Sequence, residues 1–395
     1  MKRSEDRILT THVGSLPRPP ALIALMRRTE SGQTVDEADV VAQVHAAVHH
    51  IVRKQVSLGI DVIDDGEMSK PGFVNYVNDR LTGFEPASAG ARPQWSGSRE
   101  IESFPEFYAW FERQMGQETT GRMRMACTGP LRYQGHAALE RDIANLKQAM
   151  EGLDVTEAFM PSISPATVAA FQTNEYYKTD EEFLFAIADA MHEEYASIVN
   201  AGILLQVDDP RLMTHYVRNP NMSIEECRAW AAIRVEALNH ALRGLPVDRI
   251  RHHTCYGINM GPRVHDLELK NIVDLILRIN AGAYSFEAAN PRHEHEWEVW
   301  QHVKLPNGKI LIPGVVTQSS FLVEHPELVA QRLVRFADVV GRENVIAGTD
   351  CGFATFATSE ETHPSVTWAK LEALSQGAAL ASRRLWPQRS AGRAA

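Results

Sequence analysis

Ile203-Leu-Leu-Gln-Val207, followed by the amphipathic stretch Ile224–Arg243 and then by Arg251-His-His-Thr-Cys255, decides the fold of this chain. The two outer segments are short apolar runs that read as strands. Between them apolar residues recur at three- and four-residue spacing, the period of a helix with one buried face. A strand, a helix and a second strand in this order make a unit whose two strands run parallel.

The unit repeats in both directions. Further strand-like runs are Leu9–Gly14, Val62–Asp65, Met123–Thr128, Ala158–Ile163, Ala283–Glu287, Ile310–Val316 and Val345–Gly348. Helical spacing marks Val35–Leu58, Ala137–Met150, Glu181–Asn200, Asp266–Asn280, Pro326–Val340 and Pro364–Arg384. Thr179-Asp-Glu-Glu182 and Ser223-Ile-Glu-Glu226 read as capping boxes at helix starts. Eight units close into an α/β fold, the (β/α)8 TIM barrel. The strand-like runs number nine, one too many, so Met123–Met150 is expected to be an inserted strand–helix unit. Residues 84–122 hold Pro93-Gln-Trp95, Phe104-Pro-Glu-Phe107-Tyr108 and Trp110, and are expected to form an irregular excursion over one barrel face. A lid is one reading of it; a disordered linker is the plainer one, and the aromatic density argues against that. Residues 387–395 are expected to fray. The whole, 1–395, reads as a single catalytic domain.

Composition narrows the function classes. A net charge of −10 with the two signs interspersed offers no basic stripe for nucleic acid. No apolar stretch approaches the ~20 residues of a membrane helix, and no apolar run follows the charged N-terminus, so neither membrane nor export is expected. Four cysteines in 395 residues suit the reducing cytoplasm rather than a disulfide framework. Cys227 lies in a helical pattern and reads as packing; Cys127 ends an apolar run, in the core or at its rim.

In a barrel the C-terminal strand ends share one face, where active sites lie. Here those ends read Thr11-His12-Val-Gly14-Ser15, Asp64-Asp65-Gly-Glu67, Gln206-Val-Asp208-Asp209, His253-Thr-Cys255, Glu287-Ala-Ala-Asn290 and Thr349-Asp350-Cys351. His253 and Cys255, two apart on a strand, face the same side. With Cys351 and Glu287 ending separate strands, one imidazole, one carboxylate and two thiolates become available to Zn2+. A thiol bound to that ion is deprotonated and nucleophilic at neutral pH. The expected partners are therefore a small-molecule thiol and an electrophile for its sulfur to attack. Plainer readings stand beside these: Cys255 alone would be buried packing, His12 a hydrogen-bonded structural residue, and His252, on the opposite strand face, structural as well. Pro291-Arg-His293-Glu-His295 has metal-ligand residue types, but it heads the helical stretch Glu294–Val303, where the two imidazoles diverge; a rim or capping role is expected.

These segments, in this order, resemble the cobalamin-independent methionine synthase family, specifically its C-terminal catalytic barrel. The resemblance spans roughly Leu9 to Thr355. It rests on Val13-Gly14-Ser15-Leu-Pro-Arg18, Asp65-Gly66-Glu67, Gln206-Val-Asp208-Asp209-Pro210, His253-Thr-Cys255-Tyr256, Phe286-Glu287 and Asp350-Cys351-Gly352. It implies that His253, Cys255, Glu287 and Cys351 hold zinc. It also implies that Glu67 and Asp208 take the amino group of homocysteine while Gly14 and Ser15 take its carboxylate. Phe171 stands where the family has a folate-contacting tryptophan. The chain departs from the family at Val316-Thr317-Gln318, where the acid and imidazole of a proton relay are missing. No counterpart of the second, N-terminal barrel of the longer members is expected in this chain.

The resemblance implies a methyl or alkyl donor as the second partner; the chain is also similar to epoxyalkane:coenzyme M transferase, so an epoxide is the alternative electrophile to a methyl donor. An incoming thiol is expected to displace or supplement one metal ligand, the carboxylate first. His12, Tyr177 and His215 are the candidate acids for the leaving group, and a homo-oligomer is left open. Two rivals remain at this point: a metal-free barrel like uroporphyrinogen decarboxylase, and a binding or sensor barrel whose zinc is structural.

Overall fold

The computed structural model describes residues 1–87, 96–115, 125–257, 260–357 and 361–387. Its centre is a ring of eight parallel strands: β1 (Leu9–Thr10), β2 (Val62–Ile63), β3 (Glu157–Ile163), β4 (Leu204–Asp208), β5 (Ile250–Thr254), β6 (Ala283–Phe286), β7 (Ile310–Val316) and β8 (Ile346–Thr349). In space they follow the order β1-β8-β7-β6-β5-β4-β3-β2, and a parallel bridge between Thr11 and Val62 joins the two ends. The chain is thus a TIM barrel. Strands covered on both faces carry near-continuous apolar sequence, and β4 and β7 are buried at every position.

Alternation along each strand sorts the interior into layers. The lowest layer is apolar: Leu9, Ala283, Ile310, Ile312 and Ile346 form one cluster and Val62, Phe159 and Leu204 another, both resting on Met1. Above them lies Arg251, fully buried, 4.0 Å over the Phe159 ring. Its Nη1 donates to Thr11 Oγ1 and its Nη2 to the His12 carbonyl, at 2.9 and 2.8 Å. One further step along β5 brings His253 to the upper rim.

Local signals place most of the helical layer. Ser223 caps Ile224–Ala241 with a complete reciprocal box through Glu226. Thr179 caps Asp180–Asn200 by accepting from Glu182 N, whereas the Glu182 carboxylate reaches one residue further back, to Lys178 N. Pro326–Val340 has the expected bounds. The strand of the expected insertion, Met125–Cys127, pairs outside the barrel with Phe84–Pro86 and Gln172–Asn174. The helix of that unit, His136–Met150, belongs to the ring, between Glu37–Ser57 and Asp180–Asn200.

Two further expectations require correction. Asp266–Asn280 is not one helix; it holds a 3-10 turn at Leu269–Asn271 and a single helical turn at Val273–Ile276. Tyr256 donates to the Leu267 carbonyl, which a helix from Asp266 would use internally, and Glu296 holds the backbone two residues on by accepting from Leu269 N. The stretch 84–122 is more regular than expected, with helices at Arg99–Ser103 and Pro105–Met115. Ser98 starts the first, its side chain accepting from Ile101 N. Pro93-Gln-Trp95, the first two residues of the Met123–Thr128 run and the tail from 388 onward, which was expected to fray, lie outside the described residues. Among the described residues, no helix is long and apolar enough to cross a membrane.

β7 and β8 come closest at Gly314, just after Pro313, which has no N–H for the ladder; the register shifts between Gly314 and Val316. A Cβ at Gly314 would lie 2.1 Å from Asp350 Oδ1 and 2.7 Å from the Asp350 backbone. Gly314→Ala is therefore expected to destabilise the protein by about 1–3 kcal/mol, read as a lower urea midpoint with an unchanged slope.

Candidate metal centre

The C-terminal end of β5 meets that of β8. His253, Cys255 and Cys351 each offer a ligand atom within 4.8 Å of the others, and all three are buried. The two sulfurs stand 3.5 Å apart. His253 Nδ1 contacts Ser285 Oγ at 3.1 Å, so donation to that hydroxyl leaves the Nε2 lone pair free; Nε2 is buried without a partner. Burial, with Arg251 and His252 nearby, pulls the His253 pKa down to about 3, so the ring is neutral. The hydrogen bond to Cys255, and burial after it, push the Cys351 thiol well above its usual range. An orphaned imidazole nitrogen beside two thiols is a donor set that fits a zinc ion, with Ser285 fixing the ring from behind.

Glu287, expected as the fourth ligand, stands beside this triad rather than in it. Its Oε1 accepts from Tyr256 N at 2.8 Å; its Oε2 accepts from Arg263 Nη2 at 2.9 Å and Asn290 Nδ2 at 2.8 Å. The reason is a buried cation that sequence reading missed: Arg263, in the loop that follows β5 and outside every motif the sequence offered. Burial raises the Glu287 pKa and the Arg263 charge counters it.

A second cluster lies across the rim. Gly14 has φ 132°, and a Cβ there would meet Pro161 Cγ at 2.6 Å. Ser15 is buried, and its carbonyl accepts from Phe353 N at 3.0 Å, tying the β1 end to the loop after Cys351. Arg18 joins three loops by donating to the carbonyls of Ala354, Glu67 and Lys70. Glu67, at φ 57°, pairs with Lys70 Nζ at 3.1 Å. Asp208 accepts from Gln206 Nε2 at 2.8 Å; burial first, and then the Glu67 charge, hold its carboxyl well above the usual range. Glu67 has Lys70 as its cation while Asp208 has no ion pair among the described residues, which suits a further cation. Lys70 was missed in the sequence, although its position three residues after Glu67 is a usable signal. Phe171 is half-buried at the end of helix Pro165–Phe171 and packs on the core.

The three candidate acids are not brought to the triad; among the described residues none has a polar contact with it. His12 donates from Nε2 to Gln55 and accepts at Nδ1 from Gly14 N, and burial lowers its pKa to about 4. His215 stacks on Trp230 with 3.6 Å between ring centres, and burial takes it to about 3. Tyr177 accepts from Leu131 N at 3.0 Å. Of the other sequence candidates, His252 faces outward, 3.7 Å from Asp209. His293 is buried and His295 exposed, so they diverge as expected.

The family model for the catalytic domain of cobalamin-independent synthases matches residues 8–175 and 164–373. The chain belongs to that family. Methionine synthases from Sulfolobus acidocaldarius and Thermococcus kodakarensis are 25% and 24% identical to it over 345 and 344 residues. Those alignments cover 87% of this chain and 85% and 86% of the relatives. In fold, this family member is similar to the B12-independent methionine synthase from Shewanella sp. W3-18-1 solved with selenomethionine. The TM-score is 0.73 at 20% identity, over 96% of this chain and 99% of the other. A putative B12-independent methionine synthase from Listeria monocytogenes follows, with a TM-score of 0.65 at 20% identity, over 94% and 98%.

Behind Glu287 the buried charges continue. His293 stacks on Tyr256 at 3.7 Å and bonds Asp266 and Glu296 through its two nitrogens at 3.1 and 2.9 Å. Burial disfavours its charge, but the two carboxylates outweigh that and raise its pKa from 6.5 to about 9. A raised folded pKa contributes stability that is complete below the unfolded pKa and is lost as pH climbs through the folded one. Native stability should therefore fall between pH 6.5 and about 9. The contribution is on the order of 3 kcal/mol, and urea midpoints of His293→Gln should show a flattened slope across that window.

Proposed function

We propose that this chain is a zinc-dependent thiol S-methyltransferase of the methionine synthase kind, acting as one catalytic domain on homocysteine or a related amino-thiol. One observation carries the reading: a buried imidazole–dithiol triad and a cation-seeking acidic pocket share the C-terminal rim of one barrel. His253, Cys255 and Cys351 would hold the ion, with Glu287 as the exchangeable fourth ligand. A zinc ion in that position keeps a bound thiol deprotonated at neutral pH. The family membership and the names of the relatives agree with this reading.

The protein's own groups do the rest. Glu67 and Asp208 would take the amine of the acceptor, adding a second cation to the one that Lys70 already supplies. Ser15 and the backbone at Gly14 would take its carboxylate. Held at both ends, the thiol is aligned before the electrophile arrives, and such positioning accounts for a large part of a rate enhancement. With His12, His215 and Tyr177 engaged elsewhere, the leaving-group proton is left to solvent or to the donor itself.

Cys255→Ser and Cys351→Ser should each abolish thioether formation and lower zinc content. The assay is mass spectrometry of incubations with homocysteine, coenzyme M or glutathione and a panel of methyl donors and epoxides. Stoichiometric zinc retained by the double variant would remove the proposed site, and product from an epoxide alone would move the reading to epoxide opening.

Glu67→Gln and Asp208→Asn should raise KM for an amino-thiol about tenfold or more, in line with the loss of a buried charge-assisted contact, and leave a thiol without the amine less affected. Equal effects on the two thiols would argue against an amino-acid acceptor.

A further inference from the structure

Helix Arg99–Ser103 connects the excursion to the metal centre. On one side Arg99 donates to the carbonyls of Tyr216, Asn219 and Met222 and lies 4.1 Å over the Tyr216 ring. On the other side Glu100, fully buried, accepts from Arg263 N at Oε2 (3.0 Å) and from His265 N at Oε1 (2.8 Å). Arg263 sits at φ 57°, a left-handed conformation that non-glycine residues rarely adopt. The two hydrogen bonds that Glu100 accepts, one from the strained residue's own N–H and one from two residues beyond it, fix the turn.

Arg263 then reaches inward. Its Nε donates to Asp266 Oδ2 at 2.8 Å and its Nη2 to Glu287 Oε2 at 2.9 Å. Asn290 ties Glu287 to the triad's side of the rim, its Nδ2 donating both to Glu287 Oε2 at 2.8 Å and to Oδ2 of Asp350, the residue before Cys351, at 3.2 Å. The other Glu287 oxygen holds the backbone N–H of Tyr256, the residue after Cys255. A buried carboxylate needs a cation. Two are in reach of this one: the Arg263 guanidinium, and a divalent ion on the triad.

We propose that Glu100 is a positioning residue that acts through Arg263 to hold Glu287 away from His253, Cys255 and Cys351. Docking of helix Arg99–Ser103 thereby sets whether the triad keeps a position open for a thiol or gains a carboxylate oxygen. This rests on the metal reading of the triad. When Glu100 loses its grip, Arg263 leaves its left-handed turn, Glu287 turns to the ion, and an incoming thiol has a charged ligand to displace.

The test uses the full chain loaded with zinc, and with cobalt for spectroscopy. Zinc affinity is read by chelator competition, and thiol affinity by the cobalt–sulfur charge-transfer band. Glu100→Gln and Arg263→Gln should each tighten zinc and weaken thiol binding by roughly tenfold, the scale of effects from groups behind a metal ligand. In a Glu287→Gln background both changes should vanish, which a merely structural role would not produce. Arg263→Lys keeps the charge but cannot span Asp266 and Glu287 together, and reads the same coupling if Glu100 variants misfold. Unchanged affinities in the Glu100 and Arg263 variants, or changes that persist without Glu287, overturn the proposal. If no thiol adds sulfur to the wild-type metal while the chelator coupling holds, the thiol-transfer reading fails and the positioning role stands.

Discussion

Closure of the parallel ladder governs everything else in this molecule. Once the bridge between Thr11 and Val62 completes the ring, every second side chain of eight strands has nowhere to go but inward. The layers follow from that parity. Apolar side chains fill the bottom, Arg251 lies across the middle on Phe159, and the next inward step along β5 delivers His253. Cys255 continues the same parity just past the strand end, and β8 brings Cys351 across from the far side of the ring. Thiols about a hundred residues apart in sequence thus end 3.5 Å apart.

Above the apolar layers, the interior is organised by scarce cations among many carboxylates. Lys70 serves Glu67 beside Asp208, and Arg263 serves Glu287 and Asp266 together. His293 completes the second group as an imidazolium between Asp266 and Glu296. Each cation also fixes a loop: Lys70 donates to the Pro161 carbonyl, and Arg263 is fastened through its backbone to Glu100. Unpaired carboxylates in such surroundings are costly, so removing one cation rearranges its partners rather than leaving them in place. For a member of the cobalamin-independent synthase family, this makes the loops after the strands part of the site and not merely its border.

Several elements were legible because their signals are local. The Ser223–Glu226 box, the bounds of Pro326–Val340 and the apolar run of β7 depend on neighbours within four residues. The His253–Cys255 spacing is local too, since strand alternation alone puts both on one face. The expected helix Asp266–Asn280 failed for the opposite reason: Glu296 and Tyr256, distant in sequence or held by the fold, took its backbone groups. His12 and His215 were candidate acids as sequence, with a hydrogen-bonded structural role the plainer reading of His12, and the folded chain surrounds them with Gln55 and Trp230.

The sequence by itself determined the strand–helix rhythm, the parity that points His253 and Cys255 inward, and the family to which the chain belongs. Only the tertiary structure decided which carboxylates are already spoken for. A residue's type states what it can bind; whether that capacity is free depends on charges and N–H groups brought in from other parts of the chain. Glu287 shows the difference, because the guanidinium that holds it lies on a loop whose backbone is set by a glutamate from the excursion, and no spacing rule reaches across those distances.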